Sequence, residues 1–324
     1  MGKITKRSET PSESISQEET IPEPEIVESE FLTIVGEPEQ LTFGEDPSAF
    51  GSIHRSGEKI VFQSLTDKRW QLFELDLSIS DVLEEDMESE STSMTFEARP
   101  LLETDTNDES PVWDYNDERV FFVSSAGESA PLDRDILMYD PTAEVILPVI
   151  ESPGDDWNPV CMPDGRIVFL SERDAGNEES EYKKANGLYI ADADGMNVQK
   201  IAGEYSDYCC PVSVDDNHIV VLNKDDRLLL LALESSSEEI LTPSRIKCGS
   251  ATYCAEKDWL IFTGWENGTS ALYALSIKDK KIQQIAIAGY DVTYPQISPD
   301  GSWMLFSSKI NGQYQLFRIS LNGE

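Results

Sequence analysis

Seven carboxylate and amide side chains recur at corresponding places along this chain: Asp46, Asn107 with Asp108, Asp155 with Asp156, Asp207 and Asp291. Each lies shortly ahead of a proline or of the residue that replaces it. Carboxylates drawn from successive turns towards one axis could hold Ca²⁺ or Mg²⁺, which take oxygen ligands. They could equally grip the Lys and Arg side chains of a basic peptide. The expected cation position is near Asp155, Asp207 and Asp291. Lys247 takes the corresponding place in one segment and would oppose a cation there. The competing account is local: an Asp in a turn bonds its own backbone and shapes the loop. Trp157 directly follows Asp156 and adds an aromatic anchor of the kind that dominates many interfaces.

Other chemistries find less support. The two histidines, His54 and His218, are too few for a metal held by several converging imidazoles. No Gly-x-Ser-x-Gly elbow is present, which argues against a hydrolase nucleophile of that type. Paired carboxylates for glycoside cleavage cannot be singled out among 62 acidic residues, because some pair will fall within reach by chance. No catalytic residue is therefore named.

The elements that must carry these residues are legible as repeats. Residues 290–323, YDVTYPQISPDGSWMLFSSKINGQYQLFRISLNG, run through an acidic turn, a proline, an alternating strand, a Pro-Asp-Gly turn and two further strands. The order returns in DDWNPVCMPDGRIVFLSERD from Asp155, followed by NGLYIADA, and more loosely in NDESPVWDYNDERVFFVSS from Asn107. Alignment on the proline gives Pro111, Pro159, Pro211 and Pro295, with Gly51 and Ala251 at the degenerate copies. Six units at intervals of roughly 40 to 60 residues have the period of propeller blades. Fourth strands are expected at Glu144–Pro148, Val198–Ala202, Glu238–Thr242 and Lys281–Ala286. The last unit has only three strands, and the orphan segment Glu39–Phe43 is expected to complete it as a clasp that removes an open sheet edge.

Outside the repeats, residues 1–37 are rich in Ser, Glu, Pro and Thr and read as a disordered acidic tail. The insertion 81–97 carries seven acidic residues and no basic one, and reads as a flexible loop. The formal charge of −37 would repel nucleic acid and suits a soluble surface, a high-salt habitat or a basic partner. No apolar run approaches the ~20 residues of a spanning helix. The opening MGKITKRSETPSES shows no leader, so the protein as written is expected to be cytoplasmic, or periplasmic or secreted if a leader has been removed. Five cysteines leave at least one thiol unpaired. Cys209 and Cys210 are adjacent and would face opposite ways in an extended strand.

The segments YPQISPDGSWMLFSS, NPVCMPDGRIVFLS and SPVWDYNDERVFFVS resemble the TolB-type propeller repeat, also called WD40-like or PD40. QLTFGEDPSAFGSIHRSGEKIVFQS is similar to the clasp and first blade of that family. The resemblance spans about residues 38–324 and implies an all-β, six-bladed propeller of four-stranded antiparallel blades. It implies little about function, since this repeat serves scaffolds and peptidase accessory domains alike. The α/β domain that precedes the propeller of TolB has no counterpart in residues 1–37. The expected role is a non-catalytic scaffold that binds a protein or peptide with a basic patch at the channel mouth, with no cofactor required. The alternative is a carbohydrate- or lactone-active enzyme using channel carboxylates and a divalent Ca or Mg ion.

Overall fold

The computed structural model describes residues 24–27, 31–78, 81–82, 94–126, 133–174, 187–202 and 208–323. Every regular element among them is a strand. Six antiparallel sheets follow one another along the chain. Their innermost strands are Ser48–Ile53, Asn107–Trp113, Asp156–Cys161, Tyr208–Ser213, Lys247–Cys254 and Thr293–Ile297, which define blades 1 to 6. The fourth strands of blades 2 to 5 are Val145–Ile150, Gln199–Ala202, Glu238–Ile240 and Lys281–Ile285, close to the expected spans.

Each blade is buried on both faces because it stands between two others, so its second strand needs no polar side. Val120–Ser125 and Ile167–Ser171 are buried at every position. One cross-strand pair repeats at the same register between second and third strands: Phe62 with Phe73, Phe169 with Tyr189, Phe262 with Tyr273, Phe306 with Phe317. The rings stack at centroid distances of 5.8, 5.9, 5.3 and 5.5 Å. Such pairs add to simple area burial and help set strand register. The apolar clusters lie between blades: Trp259 and Ile261 of blade 5 pack with Met304 and Phe306 of blade 6.

The hairpins that open each blade work as their residues suggest. In blade 6, Gly301 has φ +71° and its N–H donates to Ser298, while Asp300 accepts from the Ser302 N–H. In blade 2 the glycine is missing and Asp117 takes the same left-handed conformation at φ +60°, one that Asp tolerates better than most residues.

The ring closes through the N-terminal strand, which is longer than expected. Leu32–Gln40 pairs antiparallel with Gln313–Gly323 of blade 6, and the Leu41 N–H continues the ladder to Leu316 O at 2.8 Å. The expected clasp at Glu39–Phe43 thus covers only the end of this strand, and the boundary placed at residue 37 falls inside it. A second contact was not foreseen: Glu25–Ile26 adds as a parallel fifth strand on the outer edge of blade 5. The insertion 81–97 is held at its stem, where Asp81–Val82 pairs with Met94–Thr95 and Phe96 is buried beside Leu41 and Leu305. Its residues 83–93 lie outside the described residues, as does most of the expected tail.

Two buried amides tie the clasp down. Gln283 accepts from the Phe31 and Leu32 N–H groups at 2.9 and 3.0 Å and donates to Leu32 O at 2.6 Å. Gln315 accepts from Thr42 Oγ1 at 2.8 Å and donates to Asp46 O at 3.1 Å. The Gln283→Ala variant strands buried backbone groups of the clasp, which costs about 1–3 kcal/mol. Urea denaturation should therefore show a lower midpoint at an unchanged slope; an unaltered midpoint would mean that the clasp does not depend on this amide.

Candidate functional site

The six innermost strands surround a central channel, and each is interrupted at the same place. Register shifts occur at Ala49/Ser52, Glu109/Val112, Trp157/Val160, Cys209/Val212, Cys248/Ala251 and Thr293/Gln296. In five blades the residue ahead of the proline position has positive φ: Phe50, Ser110, Asn158, Cys210 and Tyr294, all between +50° and +53°. This bulge explains the prolines. Proline cannot donate to a ladder and is tolerated in sheets at edges or bulges, and Pro111, Pro159, Pro211 and Pro295 occupy both at once. All four are buried.

The N–H groups freed at the inner edge are taken up by the preceding blade. Gln63 accepts from the Ser110 N–H at 2.7 Å and Ser52 from the Trp113 N–H at 3.2 Å. Ser250 and Thr252 accept from the Tyr294 and Ile297 N–H groups, each at 3.2 Å. Neighbouring blades are thereby stitched together along the channel wall.

The channel holds a cavity of about 360 Å³ lined by the three or four residues at each bulge. Its wall is largely apolar, with Val112, Val160 and Val212 at matching places beside the prolines. The rings of Phe50 and Tyr294 meet across blades 1 and 6 at a centroid distance of 3.8 Å. Gly51 stands at the proline position of blade 1 because blade 6 approaches closely: a Cβ there would lie 2.4 Å from Leu305 Cδ2.

The carboxylates expected to ring the mouth have mostly other work. Asp108 is fully buried and accepts from Thr104, Thr106 and Ser124 at 2.5, 2.9 and 2.7 Å. Asp155 is buried against Arg134, with Nη2 at 2.7 Å. Asp156 is buried between Ser152 at 2.8 Å and Arg173 at 3.1 Å. Asn107 accepts from the Trp70 N–H at 3.2 Å. Trp157 is half-buried, packs between blades and lies under the Arg134 guanidinium, 5.1 Å from its ring centre. Asp46 and Asp291 are exposed in the loops that enter blades 1 and 6. Asp207 lies outside the described residues. Among the described residues no three His, Cys, Asp or Glu side chains gather as a metal set. Lys247 pairs with Asp226 at 3.6 Å. Asn107, Asp108, Asp155 and Asp156 are therefore taken up by partners in their own or the neighbouring blade, and Asp46 and Asp291 are left open to solvent.

Several channel residues escaped the sequence reading. Phe50, Cys210 and Tyr294 each directly precede the aligned proline or its substitute, and that position was the available signal. Glu109 and Asp135 also stand out. Burial raises the Glu109 carboxyl, against the pull of Arg134. Asp135 is pushed up to about 6 by burial first, then by the charges of Asp133, Glu151 and Asp156. The bulge falls at Cys209 and Cys210: the ladder is interrupted between Cys209 and Val212, and Cys210 has φ +51°, so the regular alternation expected of an extended strand is broken there.

The fold and its channel define a β-propeller, and residues 161–324 match the family model described as the TolB beta propeller domain. The chain belongs to that family. A comparison with curated proteins finds no match. Among solved structures it is similar to an oligogalacturonate lyase in complex with manganese, at 15% identity and a TM-score of 0.59, covering 93% of this chain and 99% of the other. TolB from Acinetobacter baumannii is 14% identical with a TM-score of 0.51, over 85% of this chain and 55% of that one. The propeller domain of the Trilobed protease from Pyrococcus furiosus is 18% identical with a TM-score of 0.57, over 86% and 80%. At these identities the likeness is one of fold.

Two outcomes follow from this geometry. Gly51→Ala should destabilise the protein by about 1–3 kcal/mol through overpacking, and Leu305→Ala should relieve that loss in a double-mutant cycle; additive effects would show that the two do not meet. Asp135 is protonated more readily in the folded protein, so its stabilising contribution is fully present below pH 3.8 and is lost as pH rises through about 6. The melting temperature of Asp135→Asn should match the wild type near pH 4 and exceed it at pH 7. A difference that does not change with pH would rule out this titration.

Proposed function

We propose that this protein is a non-catalytic scaffold that binds a protein or peptide at the mouth of its propeller channel. The observation that carries the reading is the apolar cavity of about 360 Å³ with Phe50 and Tyr294 in its wall. A concave apolar site with a few polar groups is suited to an anchoring side chain. Exposed Asp46 and Asp291 in adjacent loops favour Lys or Arg beside that anchor, and such rim charges act mainly on the rate of encounter. The partner is thus a segment with a bulky apolar residue flanked by basic ones. No cofactor is needed for this role.

A fluorescent peptide library with a central Trp or Leu between lysines tests the reading. Val160→Trp fills the channel and should weaken the selected binders at least about tenfold. Asp46→Asn with Asp291→Asn should instead flatten the salt dependence of association. A library without binders, or binders indifferent to Val160→Trp in a variant that still melts as the wild type does, would overturn it.

The second reading is a carbohydrate- or lactone-active enzyme with a divalent cation. It draws on Asp135, whose carboxyl is pushed up to about 6 and suits proton donation near neutral pH, and on Glu109, whose carboxyl burial also raises. Turnover of an oligogalacturonide that requires added Mn²⁺, Ca²⁺ or Mg²⁺ and is lost in Glu109→Gln would favour it over the scaffold.

A further inference from the structure

The outermost strand of each blade lies on the rim of the ring, and the six blades treat that edge differently. An uncovered edge invites another strand, and proteins guard it with charge, proline, brevity or a covering segment. Blade 1 ends in the three-residue Ala98–Pro100 with Arg99, blade 3 in Gln199–Ala202 with Lys200, and blade 4 in Glu238–Ile240 with Glu238 and Glu239. Blade 5 is covered by Glu25–Ile26 and blade 6 by the clasp, which itself carries Glu37 and Glu39. Blade 2 departs from all of these. Its outer strand Val145–Ile150, VILPVI, holds no charged residue, and Val145, Ile146 and Leu147 are 40, 38 and 48% exposed. Pro148 is exposed too, so four apolar residues in succession face solvent. Beside them a turn of blade 3 comes so close that a Cβ on Gly195 would lie 1.8 Å from Val149 O. The next residue of that turn, Met196, is 65% exposed, an adaptable side chain of the kind that recurs at binding surfaces.

We propose that residues 145–148 form a docking edge that receives an extended apolar segment of a partner protein, bracketed by Lys or Arg, as a fifth strand of blade 2. The molecule shows such an addition on blade 5. There Glu25–Ile26 pairs with Lys281 and Ile282, the Val27 N–H donates to Ile282 O at 2.8 Å, and Ile26 packs on the apolar cluster that includes Ile282. That addition pairs only two residues, so the short stretch left free between Glu144 and the Gly195 turn is long enough. Main-chain hydrogen bonds supply affinity in strand addition, and side chains supply selectivity. Charge decides the occupant. Exposed Glu144 and Glu151 flank the strand, and the whole chain stands at −37. A second copy would bring like charges against these ends, whereas a basic-flanked segment meets opposite ones. The edge lies on the rim, apart from the channel mouth.

The probe is a fluorescein-labelled Lys-Lys-Val-Thr-Val-Ile-Val-Lys-Lys peptide, titrated by anisotropy into the full-length protein. Binding should saturate, and hydrogen exchange across residues 141–150 should slow when the peptide is bound. The same peptide N-methylated at its central backbone amides keeps its side chains and charge but loses its donors. It should bind at least about tenfold more weakly, a comparison that needs no variant to fold. Ile146→Thr combined with Leu147→Thr keeps strand propensity and charge while removing apolar surface, and should weaken binding at least about tenfold. Binding at the rim should persist in Val160→Trp, whose channel is filled. Absence of saturable binding, equal binding of the methylated peptide, indifference to the two threonines in a variant that melts as the wild type does, or loss of binding in Val160→Trp would each overturn the proposal. So would a dimer sedimenting at about 0.5 M salt, where charge repulsion is screened, that the threonine variant abolishes, since the edge would then belong to a second copy.

Discussion

A ring of sheets has one seam, and the rest of this molecule depends on how that seam is held. Blade 6 is built from the end of the chain and would present the open edge of Gln313–Gly323; Leu32–Gln40 from the other end covers it. An open edge invites pairing with other chains, and a repeat array without closure gains only nearest-neighbour stability. Closure converts six modest interfaces into a circuit in which each blade has two neighbours. The buried amides Gln283 and Gln315 make this joint specific, because each answers particular backbone groups of the clasp and its loop. The parallel pairing of Glu25–Ile26 with blade 5 extends the joint across two blades.

The second constraint is the bulge in every innermost strand. A regular strand at the centre of a six-bladed ring would aim a whole edge of unpaired N–H and C=O groups into the channel. The bulge breaks that edge, proline removes one donor, and side chains such as Gln63, Ser52 and Thr252 accept others from the next blade. The outcome is a channel that is apolar at its wall although the protein carries a formal charge of −37.

Aspartate is abundant because the architecture consumes it. Asp114, Asp140, Asp164 and Asp300 cap the backbone of their own turns. Asp108, Asp155 and Asp156 hold loops by bonding hydroxyls or guanidinium groups. A buried carboxylate with such partners remains in place because removing either side would strand the other. The same crowding leaves Asp135 among acidic neighbours, where holding a proton is easier than holding a charge.

How much of this was legible follows from how far each feature reaches along the chain. Blade number, strand order, the Pro-Asp-Gly hairpins and the identity of the clasp are set by local patterning repeated at a fixed interval, so the residues alone determined them. Alternation and turn chemistry act within a few residues, and repetition multiplies a weak signal. The extent of the clasp was not legible, because Leu32–Val35 has no repeat partner and becomes a strand only against Ser320–Gly323, almost three hundred residues away. The fate of the carboxylates was equally hidden. Asp155 reads like Asp291, yet the first meets Arg134 across a blade and the second faces solvent. The break in alternation at Cys210 likewise turned on one positive φ, imposed by packing around a ring rather than by the two cysteines. Sequence determined the modules and their order; only the closed ring decided which side chains share a surface, because that depends on contacts between blades distant along the chain.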